Sequence, residues 1–193
     1  MEERLPRKLA VILHADVAGY SRLAGANEDA THIRLSASRE LVSELTDSHR
    51  GQVVNTAGDA VLAMFDAVAD ALTCAISIQR ELGKQNSGES DDNKLQFRIG
   101  INLGDVIEDK GDIFGDGVNV AARLEGHAEP GGICISGPVY DAVSTSLKTQ
   151  FAEQEGVAFK ALGIQELKNI PELSLIQSPS PRDLSTSRMP SSA

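Results

Sequence analysis

Basic residues are scarce in this sequence. Eighteen Lys and Arg stand against 28 Asp and Glu, a formal charge of −10 over 193 residues. That imbalance excludes a general nucleic-acid binder or an anionic-membrane binder, because both partners require a basic face. It leaves room for a small phosphate ligand, which one Lys, one Arg and a metal can meet. Cysteine is also sparse: Cys74 and Cys134 lie in apolar segments without metal-ligand spacing, as expected of reduced core thiols in a cytosolic protein. Long apolar runs are missing. The opening MEERLPRKLAVILHADVAGYS holds only five apolar residues in a row, Leu9 to Leu13, too few for a signal h-region or a membrane span. The expectation is a cytoplasmic protein without a nucleic-acid or membrane partner. No internal repeat is visible.

What is present reads as one soluble domain with a tail. Hydrophobic content of 41% and 24% charged residues are ordinary for a globular core. The boundary falls after residue 177, since 178–193, SPSPRDLSTSRMPSSA, is Pro- and Ser-rich with almost no apolar side chains and is expected to be disordered.

KLAVILHADV, rich in Val, Ile and Leu, reads as a central strand buried on both faces. The segment after it predicts a helix from an Asn27 cap to a stop at Gly51, with Ile33, Ala37, Leu41 and Leu45 on its buried face. VVNTAGDAVLAMF predicts a hairpin turning at Gly58-Asp59. A second helix places Ala67, Ala71, Cys74, Ala75, Ile78 and Leu82 on one face. LQFRIGINLGDVIE reads as two strands kinked at Gly104, and GDIFGDGVNVAARLEG as a glycine loop turning into a helix. GGICIS follows as a short strand, GPVYDAVS as a short helix with Pro138 in its first turn, and residues 151–176 as two or three strands broken at Pro171. This order predicts an α+β domain with helices packed on a mixed sheet.

The chemical candidates stand at the ends of these elements. Asp16 closes the first strand and Asp59 occupies the hairpin turn. A carboxylate directly after a buried strand is costly unless neutralised, and two of them brought together would suit a hard cation such as Mg²⁺. Each Asp equally well caps a turn. Gly111, Gly115 and Gly117 permit close backbone approach, and Asn119 and Arg123 fall on one face of the helix that follows. Lys168, in QELKNIPE, reads in isolation as a solvated surface lysine.

Together, ILHADVAGYSRL, NTAGDAVLAMF, FRIGINLGDVI, GDIFGDGVNVAARLEGHAEPGGICIS and ELKNI resemble, in order and spacing, the catalytic domain of the class III nucleotidyl cyclases, most closely the bacterial adenylate cyclases. The resemblance covers about residues 8–176. It implies a ferredoxin-like βαββαβ core, a mixed and mostly antiparallel sheet, and a head-to-tail homodimer with composite active sites. It further implies that Asp16, Asp59 and the Val17 carbonyl hold two Mg²⁺ or Mn²⁺ ions, and that the substrate is ATP. By position Asp112 matches the reader of the adenine amine, Asn119 the ribose-orienting residue, Arg123 the residue that stabilises α-phosphate charge, and Lys168 the terminal-phosphate lysine.

Asn55 departs from the pattern, which typically has a Lys there for adenine N1. A neutral amide still donates one hydrogen bond but without charge assistance, a loss of about 1 kcal/mol. This substitution is the only support for an alternative, a catalytically inactive cyclase-homology domain acting as a nucleotide-binding regulatory or dimerisation module. The Gly-Gly-Asp/Glu-Glu-Phe hairpin of diguanylate cyclases is absent.

Overall fold

The strand RKLAVILHADV, β1 (Arg7–Val17), is the spine of the protein. Its residues Ala10 to Leu13 are at most 2% exposed, so it is covered on both faces as its unbroken apolar run predicts. The computed structural model describes residues 5–155, 160–167 and 170–177. After β1 come α1 (Tyr20–Ala26), α2 (Glu28–Ser48), β2 (Gln52–Ala57), β3 (Ala60–Phe65), α3 (Val68–Gln85), β4 (Phe97–Asp109), β5 (Asp112–Phe114) and α4 (Asp116–His127). β6 (Ile133–Ile135), α5 (Gly137–Ala142), α6 (Thr145–Glu155), β7 (Lys160–Leu167) and β8 (Ile170–Gln177) complete the order.

The strands form one sheet in the order β2-β3-β1-β4-β6-β8-β7, with β5 paired to β4 off that path. In the row β2, β3, β1, β4 each strand runs antiparallel to its neighbour, and with α2 and α3 they make the expected ferredoxin-like βαββαβ unit. β6 joins β4 in parallel and makes the sheet mixed. The side chains of β1 alternate between two cores. Val11, Leu13, Ala15 and Val17 pack among Val42, Cys74, Ala75 and Ile78 of α2 and α3. Ala10 and Ile12 pack on the opposite face with Met64, Val106, Ile113 and Ala121 of α4. Alternation therefore puts Asp16 on the α4 side, in the row of Ala10, Ile12 and His14.

Asn27 caps α2, its side chain accepting a hydrogen bond from Ala30 N at 3.1 Å. The buried face of α2 is Thr31, Leu35, Ser38, Val42 and Thr46 instead of the expected one, and Ile33 is 69% exposed. Strict four-residue steps advance roughly 40° per step round a helix, so a stripe through Ile33 and Ala37 starts in solvent and reaches the core only near Leu41 and Leu45. On α3 the predicted face is buried except at Ala67, the exposed N-cap.

Four other expectations are corrected. β4 is one continuous strand through Gly104, held straight by pairing with β1 along its length. The glycine loop folds back as β5 on β4 before α4 begins. α6 occupies residues expected as strand, and Pro171 is the second residue of β8 instead of a break. Phe151 and Leu147, one turn apart on α6, pack on the core, but a single i, i+4 pair in a short segment is too little to mark a helical period. α1 was not anticipated. Cys74 and Cys134 are buried free thiols, as expected; burial pushes them up to about 11 and about 12 respectively. The tail 178–193 lies outside the described residues.

Candidate active site

β3 runs antiparallel to β1, with Ala15 opposite Val61, so the β2–β3 turn rises beside the end of β1. Ala57 pairs with Ala60, leaving a two-residue turn in which Gly58 takes φ +61°, a conformation that favours glycine. The turn brings half-buried Asp59 against half-buried Asp16. Burial raises the Asp16 carboxyl above the ordinary carboxylate range, and the hydrogen-bonded, like-charged Asp59 raises it further. Val17 N–H, donating to Asp16 Oδ1 at 2.9 Å, and the Arg98 guanidinium pull the other way. Two carboxyls in contact whose repulsion is not fully compensated form a donor set suited to a hard dication. Among the described residues no three His, Cys, Asp or Glu side chains form a metal cage. An ion at this pair would complete its shell with backbone oxygen, water and phosphate.

Arg98 stands opposite Asp16 on the β1–β4 ladder. From α4, Glu125 reaches down to it. Arg98 Nε lies 2.9 Å from Glu125 Oε1, and His14 Nδ1 lies 3.9 Å from Glu125 Oε2. Arg98 Nε, Glu125 Oε1 and His14 Nδ1 have no well-aligned hydrogen-bond partner, so the Arg98–Glu125 contact is chiefly one of charge. Glu125 is 6% exposed; burial, opposed by Arg98 and reinforced by the Asp16 and Asp59 carboxylates, pushes it up to about 6. Burial lowers His14. Sequence reasoning missed this cluster. Its signal lies in the alternation of β4, where Phe97, Ile99 and Ile101 are interleaved with Arg98, Gly100 and Asn102.

Asn55 and Asp112, far apart in the chain, meet: Asn55 Nδ2 donates to Asp112 Oδ2 at 3.0 Å. Ile113 N holds the other carboxyl oxygen at 2.8 Å. A β-bulge makes the meeting possible. Val53 pairs with Ala63 and Asn55 with Leu62, leaving Val54 as the extra residue. Strict alternation from Val53 would turn Asn55 to the α2–α3 face; the bulge turns it to the α4 face. Asn119 and Arg123 sit one turn apart on α4, the first exposed and the second half-buried. Within one chain the guanidinium that Asp16 feels belongs to Arg98. Lys168 lies outside the described residues.

An α+β sheet with an acidic pair at the end of its central strand and a polar pair where β2 meets β5 is the frame of a nucleotidyl cyclase. The chain belongs to the adenylate and guanylate cyclase catalytic domain family, whose sequence profile matches residues 6–170. It is 38% identical over 183 residues to a protein named putative adenylate cyclase 3 of Rhizobium meliloti, covering 94% of this chain and 30% of that one. To an adenylate cyclase of Streptomyces coelicolor it is 33% identical over 64% of its own length and 31% of the relative's. The chain thus spans about a third of these curated relatives. A crystal structure described as an adenylate/guanylate cyclase/hydrolase from Silicibacter pomeroyi superposes with a TM-score of 0.77 at 40% identity, covering 91% of this chain and 98% of that one. Among the described residues no helix is long and apolar enough to cross a membrane.

Proposed function

We propose that this domain is an adenylate cyclase that closes ATP to 3′,5′-cyclic AMP and releases pyrophosphate. It works as a cytoplasmic homodimer with two equivalent sites. In each site one subunit contributes Asp16, Val17 and Asp59, and its twin contributes Asn55, Asp112, Asn119, Arg123 and Lys168. The catalytic unit is residues 1–177. The observation that carries the reading is the contact between the Asp16 and Asp59 carboxyls.

Those two carboxyls, with the Val17 carbonyl, would hold two Mg²⁺ or Mn²⁺ ions, which supply Lewis acidity to the ribose 3′-hydroxyl and the triphosphate. The protein's own groups position and discriminate. Asp112 accepts from the exocyclic amine of adenine and would face the carbonyl of guanine. Asn55 has one N–H engaged by Asp112 and a second to offer adenine N1. Asn119 orients the ribose, Lys168 meets the terminal phosphates, and Arg123 meets charge as it builds on the α-phosphate. An interaction of that last kind acts mainly on kcat.

The second reading, an inactive nucleotide-binding domain, is favoured by one observation, the uncharged Asn55. Assay of cyclic nucleotide made by the purified protein with ATP and Mn²⁺ separates the two. The expected result is turnover by the wild type and a loss of about 100-fold or more in Asp59→Ala, with an unchanged dimer. Nucleotide binding without turnover would establish the second reading, and full activity in Asp59→Ala would remove the acidic pair from the mechanism.

A further inference from the structure

α4 carries Asn119 and Arg123 and lies on β4 almost backbone to backbone. A Cβ on Gly104 would stand 3.2 Å from Gly117 Cα, and one on Gly117 would stand 2.9 Å from the Asp105 carbonyl oxygen. One on Gly100 would collide with the Ala121 carbonyl and the Glu125 amide. So bare a contact brings the helix close, and although Ala121 and Val118 pack against Ile12, Val106 and Ile113, the glycines remove part of the interlocking that sets how a helix slides and turns on its support. Two side chains of β4 add polar ties to that packing. Arg98 meets Glu125 toward the C-terminal end of α4. In the first turn, Asn102 Nδ2 donates to the Gly117 carbonyl at 3.1 Å. Asn119 and Arg123 lie between these two ties.

Asn102 is a buried amide, 5% exposed, in an otherwise apolar position: its cross-strand neighbour is Ile12, 0% exposed. A hydrogen bond there is strengthened by its surroundings and is costly to leave unmade. We infer that Asn102 is a positioning residue for catalysis: through the Gly117 carbonyl it sets the slide and rotation of α4, and with them the point at which Arg123 meets the α-phosphate. The inference rests on the cyclase reading above. Asn102 acts through the helix, wedged between α4 and the sheet.

The test uses Asn102→Ala and Asn102→Leu, the second refilling the volume without a donor. Both are made in the wild type and in Arg123→Ala, and kcat, KM for ATP, dimer mass and Tm are measured. The expected result is a fall of about 10- to 100-fold in kcat for both, with KM within about twofold, since a misplaced catalytic group costs that much. Asn102→Leu recovers Tm relative to Asn102→Ala without recovering kcat. In the Arg123→Ala background either substitution lowers kcat by a clearly smaller factor than in the wild type, because one of the two groups that α4 presents is already gone. Wild-type kcat in Asn102→Leu, or a full additional loss in the Arg123→Ala background, overturns the inference. Loss of the folded dimer in both variants also overturns it, because Asn102 is then simply structural. An inactive wild type, or an Arg123→Ala enzyme with full activity, defeats the cyclase reading itself.

Discussion

Glu125 offers the sharpest test of the electrostatics around the acidic pair. Its carboxyl titrates near 6 in the folded protein against an ordinary 4.5, chiefly because it is buried. The folded state therefore holds this proton more tightly than the unfolded chain does. Stability from that proton is complete below pH 4.5 and is lost as pH rises through 6. A displacement of about 1.5 pH units corresponds to about 2 kcal/mol. Glu125→Gln stays neutral at every pH and escapes the loss. Thermal unfolding in EDTA at pH 4 and pH 8, at fixed protein concentration, reads the effect. The variant should gain on the wild type by about 2 kcal/mol between the two pH values, or about 4–8 °C in Tm for a domain of this size. His14, 3.9 Å away and lowered by burial, titrates with the opposite sign in both proteins, so the variant-minus-wild-type difference is the quantity to follow. A difference that stays flat from pH 4 to pH 8, or a variant that loses ground at pH 8, would refute the reasoning.

Three other substitutions probe reading of the base and packing of α4. Asn55→Lys restores a charged donor beside Asp112 and should lower KM for ATP by about fivefold, a 1 kcal/mol effect, while raising the preference for ATP over GTP in paired assays. A wild type that turns over GTP faster than ATP would show that Asp112 does not read the base as argued. Gly100→Ala drives a methyl group into the α4 backbone and should cost about 3 kcal/mol by denaturant unfolding. Gly126→Ala, on the same helix with nothing within 4 Å of the new methyl, should be neutral or stabilising by up to about 1 kcal/mol. Equal effects from the two glycines would mean that α4 does not press on β4.

Much of this arrangement was legible in residue order alone. Asp16 could be placed at a strand end and Asp59 in a turn because an apolar run and a Gly-Asp dipeptide are local signals. Their contact is non-local, and it followed only from the family resemblance. The face of α2 was misjudged because Leu41 and Leu45 belong to the core while Ile33 and Ala37, on the same four-residue step, do not. His14, Arg98 and Glu125 went unnoticed because each is unremarkable among its neighbours in the chain. Only pairing Asp16 with Arg98 across the ladder, and laying α4 over glycines, makes them a group. The extra residue at Val54 left no trace in the hydrophobic pattern, since Val53 and Val54 are the same amino acid.

That Val54 bulge separates two kinds of tolerance. Counting back from the Gly58 turn, residues 57, 56 and 55 pair in regular register, and the irregularity comes only afterwards. One residue gained or lost on the side of the preceding helix would therefore be absorbed at Val54, while Asn55 and Asp59 keep their places relative to each other. The hairpin tip behaves as a cassette: its chemistry can be changed by swapping the amino acid in a slot, and its aim is insulated from length changes upstream.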